Sequence, residues 1–199
     1  MTKIKICGLM SAQDAQYVNA VQPDYAGMIL SPGFRRTVTQ KTAAKIREAL
    51  DPAIPLVGVF VNAGITEITA YLQSGIIQLV QLHGQENAAY ITALRTQTDA
   101  HIMQAFRIRS QEDVQRAEQS AADMILLDSG TGSGKVFDWS LLSGIGRPYV
   151  LAGGLNPENA AEAIAALHPF GVDVSSGVES DGRKAPEKIR AFIKAVRGA

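Results

Sequence analysis

Cys7 and Asp128 are the side chains whose placement most suggests chemistry. Cys7 closes the run Lys3-Ile4-Lys5-Ile6-Cys7 and is followed by Gly8; Asp128 closes the run Met124-Ile125-Leu126-Leu127-Asp128. A lone cysteine is ordinarily an inert small hydrophobe, and an aspartate beyond an apolar run is ordinarily a cap or a turn former. At the ends of two buried strands they acquire other uses. A thiol can take a proton once it is ionised, and a carboxyl can give one. An acid and a base facing each other across a bound molecule is what an isomerase needs, and each group contributes about 10²–10⁴-fold.

Other segments suit an anion. Ala152-Gly153-Gly154-Leu155 lets backbone N–H groups approach a ligand with no Cβ in the way. Val174-Ser175-Ser176-Gly177-Val178 offers hydroxyls and amides that could open a short helix, whose N-terminus favours phosphate. Each could also be a plain tight turn, but together they point to a phosphate cradle. Arg35-Arg36 could hold a carboxylate through paired hydrogen bonds, although such pairs are more often solvated surface. His83, after Gln81-Leu82, reads as a hydrogen-bonding group with no visible metal partners and is counted among the substrate-binding candidates. Gly130-Thr131-Gly132-Ser133-Gly134-Lys135 is not a nucleotide loop: Ser129 stands where the first Walker glycine belongs and Val136 where Ser or Thr is required. Phe137 likewise breaks the dinucleotide fingerprint, so the stretch reads as a loop closing over a substrate.

These residues need elements to place them. Eight short apolar runs recur: 3–7, 25–30, 56–61, 78–82, 101–106, 124–128, 149–152 and 172–175. Most are continuous rather than alternating, as in strands of a parallel sheet covered on both faces. Helical spacing lies between them, at Ala160, Ala163, Ile164 and Leu167, at Ile189, Phe192, Ile193 and Val196, and more weakly at Ile65, Ile68 and Leu72. Ser11 with Asp14, and Ser110 with Asp113, have capping-box spacing; Asn156-Pro157 reads as an N-cap followed by proline at the first helical position. Strand and helix alternate eight times, which predicts a (β/α)8 TIM barrel in the α/β class, one domain over residues 1–199, at the compact end of a fold that usually has about 250 residues. An open doubly wound sheet is the alternative. In a barrel the working residues stand where strands end, and Cys7, Arg36, His83, Asp128, Gly153 and Ser175 all follow such ends.

Composition narrows the function. Nineteen basic and nineteen acidic side chains cancel, so nothing global attracts nucleic acid or an anionic membrane. One cysteine excludes an internal disulfide and, with three histidines, makes a metal site improbable. The start is too short and too charged for a signal peptide, which predicts a cytoplasmic protein. Monomer and homodimer are both open.

The sequence resembles the phosphoribosylanthranilate isomerases over essentially its whole length. The matching segments are Lys5-Ile6-Cys7-Gly8, Ser31-Pro32 with Arg35-Arg36, 58–62, Gln81-Leu82-His83-Gly84, Leu126-Leu127-Asp128, Gly132-Ser133-Gly134 with Phe137-Asp138-Trp139, 152–157, and Asp173-Val174-Ser175-Ser176-Gly177-Val178-Glu179. The resemblance implies an Amadori rearrangement of a small phosphoribosyl substrate in tryptophan biosynthesis, with no cofactor and no metal. It implies Asp128 as general acid, Cys7 as general base, Arg36 on the anthranilate carboxylate, and phosphate at Gly153, Gly154, Ser175, Ser176 and Gly177. Two departures stand out. Only Ser129, Gly130 and Thr131 separate Asp128 from Gly132, fewer than is usual, and Ala185 stands where aspartate is common, which suggests a looser last loop. The histidine-pathway aminoaldose isomerases are a rival, but they resemble a two-aspartate design that Cys7 opposes. An indole-glycerol-phosphate synthase would want a lysine at a strand end, and only Lys135, in a loop, comes near. A noncatalytic ribose-phosphate-binding barrel would not need both Cys7 and Asp128.

Overall fold

The computed structural model describes residues 1–128, 139–142 and 144–199. Eight parallel strands close on themselves in sequence order: β1 (Lys3–Ile6), β2 (Tyr25–Ile29), β3 (Leu56–Phe60), β4 (Leu79–Leu82), β5 (Ile102–Arg107), β6 (Met124–Asp128), β7 (Tyr149–Ala152) and β8 (Gly171–Val174). Closure runs through β1, which pairs Ile6 with Ala26 of β2 on one side and with Val174 of β8 on the other. The helices are α1 (Ala12–Asn19), α2 (Gln40–Ala49), α3 (Ile65–Gln73), α4 (Ala88–Arg95), α5 (Gln111–Glu118), α6 (Ala160–Leu167) and α7 (Pro186–Arg197). No α-helix lies between β6 and β7 among the described residues; a 3-10 turn at Trp139–Leu142 stands there, where the sequence alternation predicted a helix. After β8 come a 3-10 turn at Ser176–Val178 and a hairpin of β9 (Glu179–Ser180) and β10 (Arg183–Lys184). Among the described residues no helix is long and apolar enough to cross a membrane.

Alternation along the strands divides the core in two. Ile4, Ile6, Met28, Leu56, Phe60 and Val172 face the helices and pack with Ile46, Ile68, Ile189 and Phe192 in one shell. The other strand faces fill the barrel, where Met103, Ala105, Leu126, Val150 and Ala152 form a separate apolar cluster. Helix α7 shows why the spacing was readable: Ile189, Phe192, Ile193 and Val196 are all buried on one face.

Both capping boxes form. Ser11 Oγ accepts from the Asp14 amide while Asp14 accepts from the Ser11 amide, and Ser110 and Asp113 do the same. Asn156 does something else. Its side chain accepts from the amides of Glu158 and Asn159 in the turn ahead of α6, and the N-cap of α6 is Asn159. At Ala185 the amide donates to Val178 O at 3.0 Å; the residue is buried and starts α7 without a side-chain cap.

Candidate active site

The C-terminal strand ends share one rim of the barrel, and the chemistry stands on it. Cys7 is one residue past β1, and its amide still donates to Val174 O at 2.8 Å. The ladder ends there because Gly8 turns into the left-handed region at φ +78°. A Cβ at Gly8 would come within 2.7 Å of both Arg36 Cδ and Ser175 Oγ, so the arginine lies directly over the first turn, against the last. Asp128 is the final residue of β6. Strands β7 and β8 separate it from β1 on one side and four strands on the other, so acid and base candidates stand across the mouth from each other.

Asp128 has a named companion. His83 Nε2 lies 3.5 Å from Asp128 Oδ2, and Gln81 Nε2 lies 3.2 Å from His83 Nδ1. An amide N–H donated to Nδ1 leaves the ring proton on Nε2, facing the carboxylate. Glu86 accepts from the amides of Asn62 and Gly84 at 2.7 and 2.8 Å, stitching the loops after β3 and β4 beside the histidine.

Arg36 is held rather than free. Its Nε and Nη2 donate to the two carboxylate oxygens of Glu179 at 2.6 and 2.9 Å, and Nη1 has no hydrogen-bond partner among the described residues. Arg35 donates to the same carboxylate at 2.6 Å, and buried Lys184 at 3.1 Å. Burial pushes the Glu179 carboxyl up, but Arg36, Lys184 and Arg35 overcome it and hold it at about 2. Lys184 also donates to Ser175 O at 2.8 Å, tying the end of β8 to β10.

The phosphate candidates adjoin one another. Gly153 and Gly154 are both left-handed, at φ +88° and +70°, and their N–H groups have no hydrogen-bond acceptor among the described residues. Ser176 and Gly177 lie in the short 3-10 turn, after Ser175, and Gly177 packs against the backbone of Leu155. The glycine-rich stretch 130–135 lies outside the described residues. A groove of about 840 Å³ lined by Pro148, Tyr149 and Phe170 opens at the opposite end of the barrel, where strands begin, and takes no part in the mouth.

Sequence reasoning passed over four residues here. Lys5 and Asp173 pair inside the barrel at 3.0 Å, with side chains 1% and 10% exposed. Glu179 and Lys184 organise the arginines. Strand parity carried a signal for two of them: Lys5 stands two residues before Cys7, and Asp173 two before Ser175. Burial pushes the Cys7 thiol up, and the nearby Lys5 and Lys184 only partly offset it.

The chain is similar to known proteins over its whole length. The family model described as N-(5'phosphoribosyl)anthranilate (PRA) isomerase matches residues 4–195. A protein named N-(5'-phosphoribosyl)anthranilate isomerase from Endomicrobium trichonymphae is 42% identical over 202 residues, covering 99% of each chain. Among solved structures, one of monomers of the dimeric phosphoribosylanthranilate isomerase from Thermotoga maritima superposes with a TM-score of 0.89 at 35% identity, over 100% of both chains. Another, of a phosphoribosylanthranilate isomerase in complex with reduced 1-(o-carboxyphenylamino)-1-deoxyribulose 5-phosphate, also has a TM-score of 0.89, at 34% identity over 100% of both chains.

Proposed function

The chain belongs to the N-(5'-phosphoribosyl)anthranilate isomerase family, and from that premise we propose how its own residues divide the work. The reaction is the Amadori rearrangement of N-(5-phosphoribosyl)anthranilate to 1-(2-carboxyphenylamino)-1-deoxyribulose 5-phosphate, an aldose–ketose isomerisation of tryptophan biosynthesis. Asp128 gives its proton to the ribose ring oxygen as the C1–O bond breaks. The nitrogen lone pair forms the C1=N bond of a Schiff base. Cys7, as thiolate, removes the C2 proton; that electron pair becomes C1=C2 and the nitrogen recovers its own. The enol then ketonises, with a proton lost from the C2 hydroxyl and one gained at C1.

Arg36, clamped by Glu179, presents its outer edge to the anthranilate carboxylate. His83 borders the site and keeps Asp128 oriented toward the ring oxygen. Gly153, Gly154, Ser175, Ser176 and Gly177 take the phosphate. What carries this division is one observation: a thiol just past β1 and a carboxyl at the end of β6 stand across the same mouth, with Arg36 lying on the glycine beside the thiol. Paired acid and base groups in this setting are worth about 10²–10⁴-fold each.

The test is turnover of phosphoribosylanthranilate, generated in the cuvette and followed by loss of its fluorescence, with Cys7→Ala as control. Turnover by the intact protein that vanishes in the control, with product still bound, supports the base role. Full turnover in the control removes it.

A further inference from the structure

A general base must be ionised, yet Cys7 is buried and burial opposes its thiolate. Directly beneath it is a pair of charges that the reaction as written does not use. Lys5 and Cys7 share a strand face two residues apart, roughly 7 Å along the strand. The lysine side chain closes most of that gap. A Cβ built at Gly27 of β2 would lie 3.0 Å from Cys7 Sγ and 3.0 and 3.2 Å from Lys5 Cε and Nζ. Both heads thus border one small space that only a glycine leaves open.

We infer that the buried Lys5–Asp173 pair governs the ionisation of Cys7, with Lys5 as the counter-ion of the thiolate and Asp173 as the anion that competes for it. This rests on Cys7 as the base. An ammonium has three donors; one goes to Asp173 at 3.0 Å, and Cys7 Sγ flanks the same space at Gly27 as the ammonium. A buried ion pair is a poor device for stability alone, since apolar residues of similar volume often do as well or better. Its location explains it better than its energy does. The charged groups facing Cys7 are Lys5 from β1, Asp173 from β8 and Lys184 from β10; β2 presents Gly27, and Arg36 reaches over Gly8 from the loop after β2. Among the described residues, cations outnumber the single carboxylate around the sulfur, and Lys5 is the one whose ammonium borders the same space at Gly27. Lys5 and Asp173 are therefore positioning residues, acting through Cys7.

The signs of their effects differ, and that makes the test sharp. Cys7 is the only cysteine, so the rate of its methylthiolation by methyl methanethiosulfonate against pH reads its ionisation without interference. Lys5→Met moves the midpoint to higher pH by about one unit or more, roughly tenfold less modification at a fixed pH below it. Asp173→Asn moves it to lower pH. The double variant Lys5→Met/Asp173→Asn leaves no buried charge unpaired, so it tests the inference even where a single variant fails to fold; its midpoint lies above that of the unaltered protein. The limb of kcat/KM against pH shifts with the same signs. Midpoints that stay put, or that move in one direction in both single variants, overturn the inference. Turnover surviving Cys7→Ala removes the base instead, and leaves the modification profile to stand by itself.

Discussion

Glu179→Gln gives the most demanding test of how the mouth is built. The carboxylate has a side chain 5% exposed and receives Arg35, two donors of Arg36, and Lys184. Its carboxyl is held at about 2 in the fold against an ordinary value of 4.5. A difference of about 2.5 units at 1.36 kcal/mol each is about 3 kcal/mol. The folded value is the lower one, so this stability is complete above pH 4.5 and disappears as pH falls toward 2. The glutamine variant should therefore be less stable by about 3 kcal/mol at pH 7, but by only about 1 kcal/mol at pH 3. Urea unfolding at both pH values measures this. Binding should suffer as well, because Arg36 loses its clamp and must be ordered by the substrate. Ordering a long side chain costs about 0.5–1.5 kcal/mol, roughly a two- to tenfold rise in KM. A stability loss equal at pH 7 and pH 3 would refute the charge argument. A KM that does not move would show that Glu179 braces the loop without positioning Arg36.

Asp128→Asn keeps the shape of the side chain and removes the acid; kcat should fall by about 10²–10⁴-fold while KM changes little. Steady-state kinetics at the wild-type level would place the acid elsewhere. Gly8→Ala puts a side chain at φ +78° and a Cβ 2.7 Å from Arg36 Cδ and Ser175 Oγ. It should cost roughly 1–3 kcal/mol in thermal or urea unfolding and raise KM by displacing Arg36, and unchanged values of both would contradict the close approach at that turn.

Much of the frame was legible, for local reasons. Strands β6 and β7 run over the predicted residues because apolar runs and polar flanks coincide there. The ends predicted at Cys7, Leu30 and Val61 overshoot by one residue each, since apolar character outlasts the ladder where the chain begins to turn, and the end predicted at Ser175 overshoots by one as well. Asn156 was misplaced because an asparagine three residues early can organise a turn as readily as a helix. The site divides similarly. Cys7, Asp128 and the glycine pair stand out because strand ends can be read from a short window. Lys5 meets Asp173 across 168 positions and Arg36 meets Glu179 across 143, distances over which no spacing rule acts. Only closure of the barrel makes them neighbours.

The interior of that barrel is unevenly furnished, and the unevenness fits the division of labour. On the side of β5, β6 and β7 it is filled by Met103, Ala105, Leu126, Val150 and Ala152. On the side of β8 and β1 it holds Asp173 and Lys5. Asp128 therefore stands above Leu126 on an apolar floor, and Cys7 above a lysine. In the proposed roles the acid works as a neutral carboxyl, which such a floor does not penalise, and the base works as an anion, which a cation beneath it stabilises. A barrel lined evenly with aliphatic side chains would pack at least as well, and it would leave the thiolate without a counter-ion. On the proposed division of labour, the charges inside this one lie where the thiolate would need them.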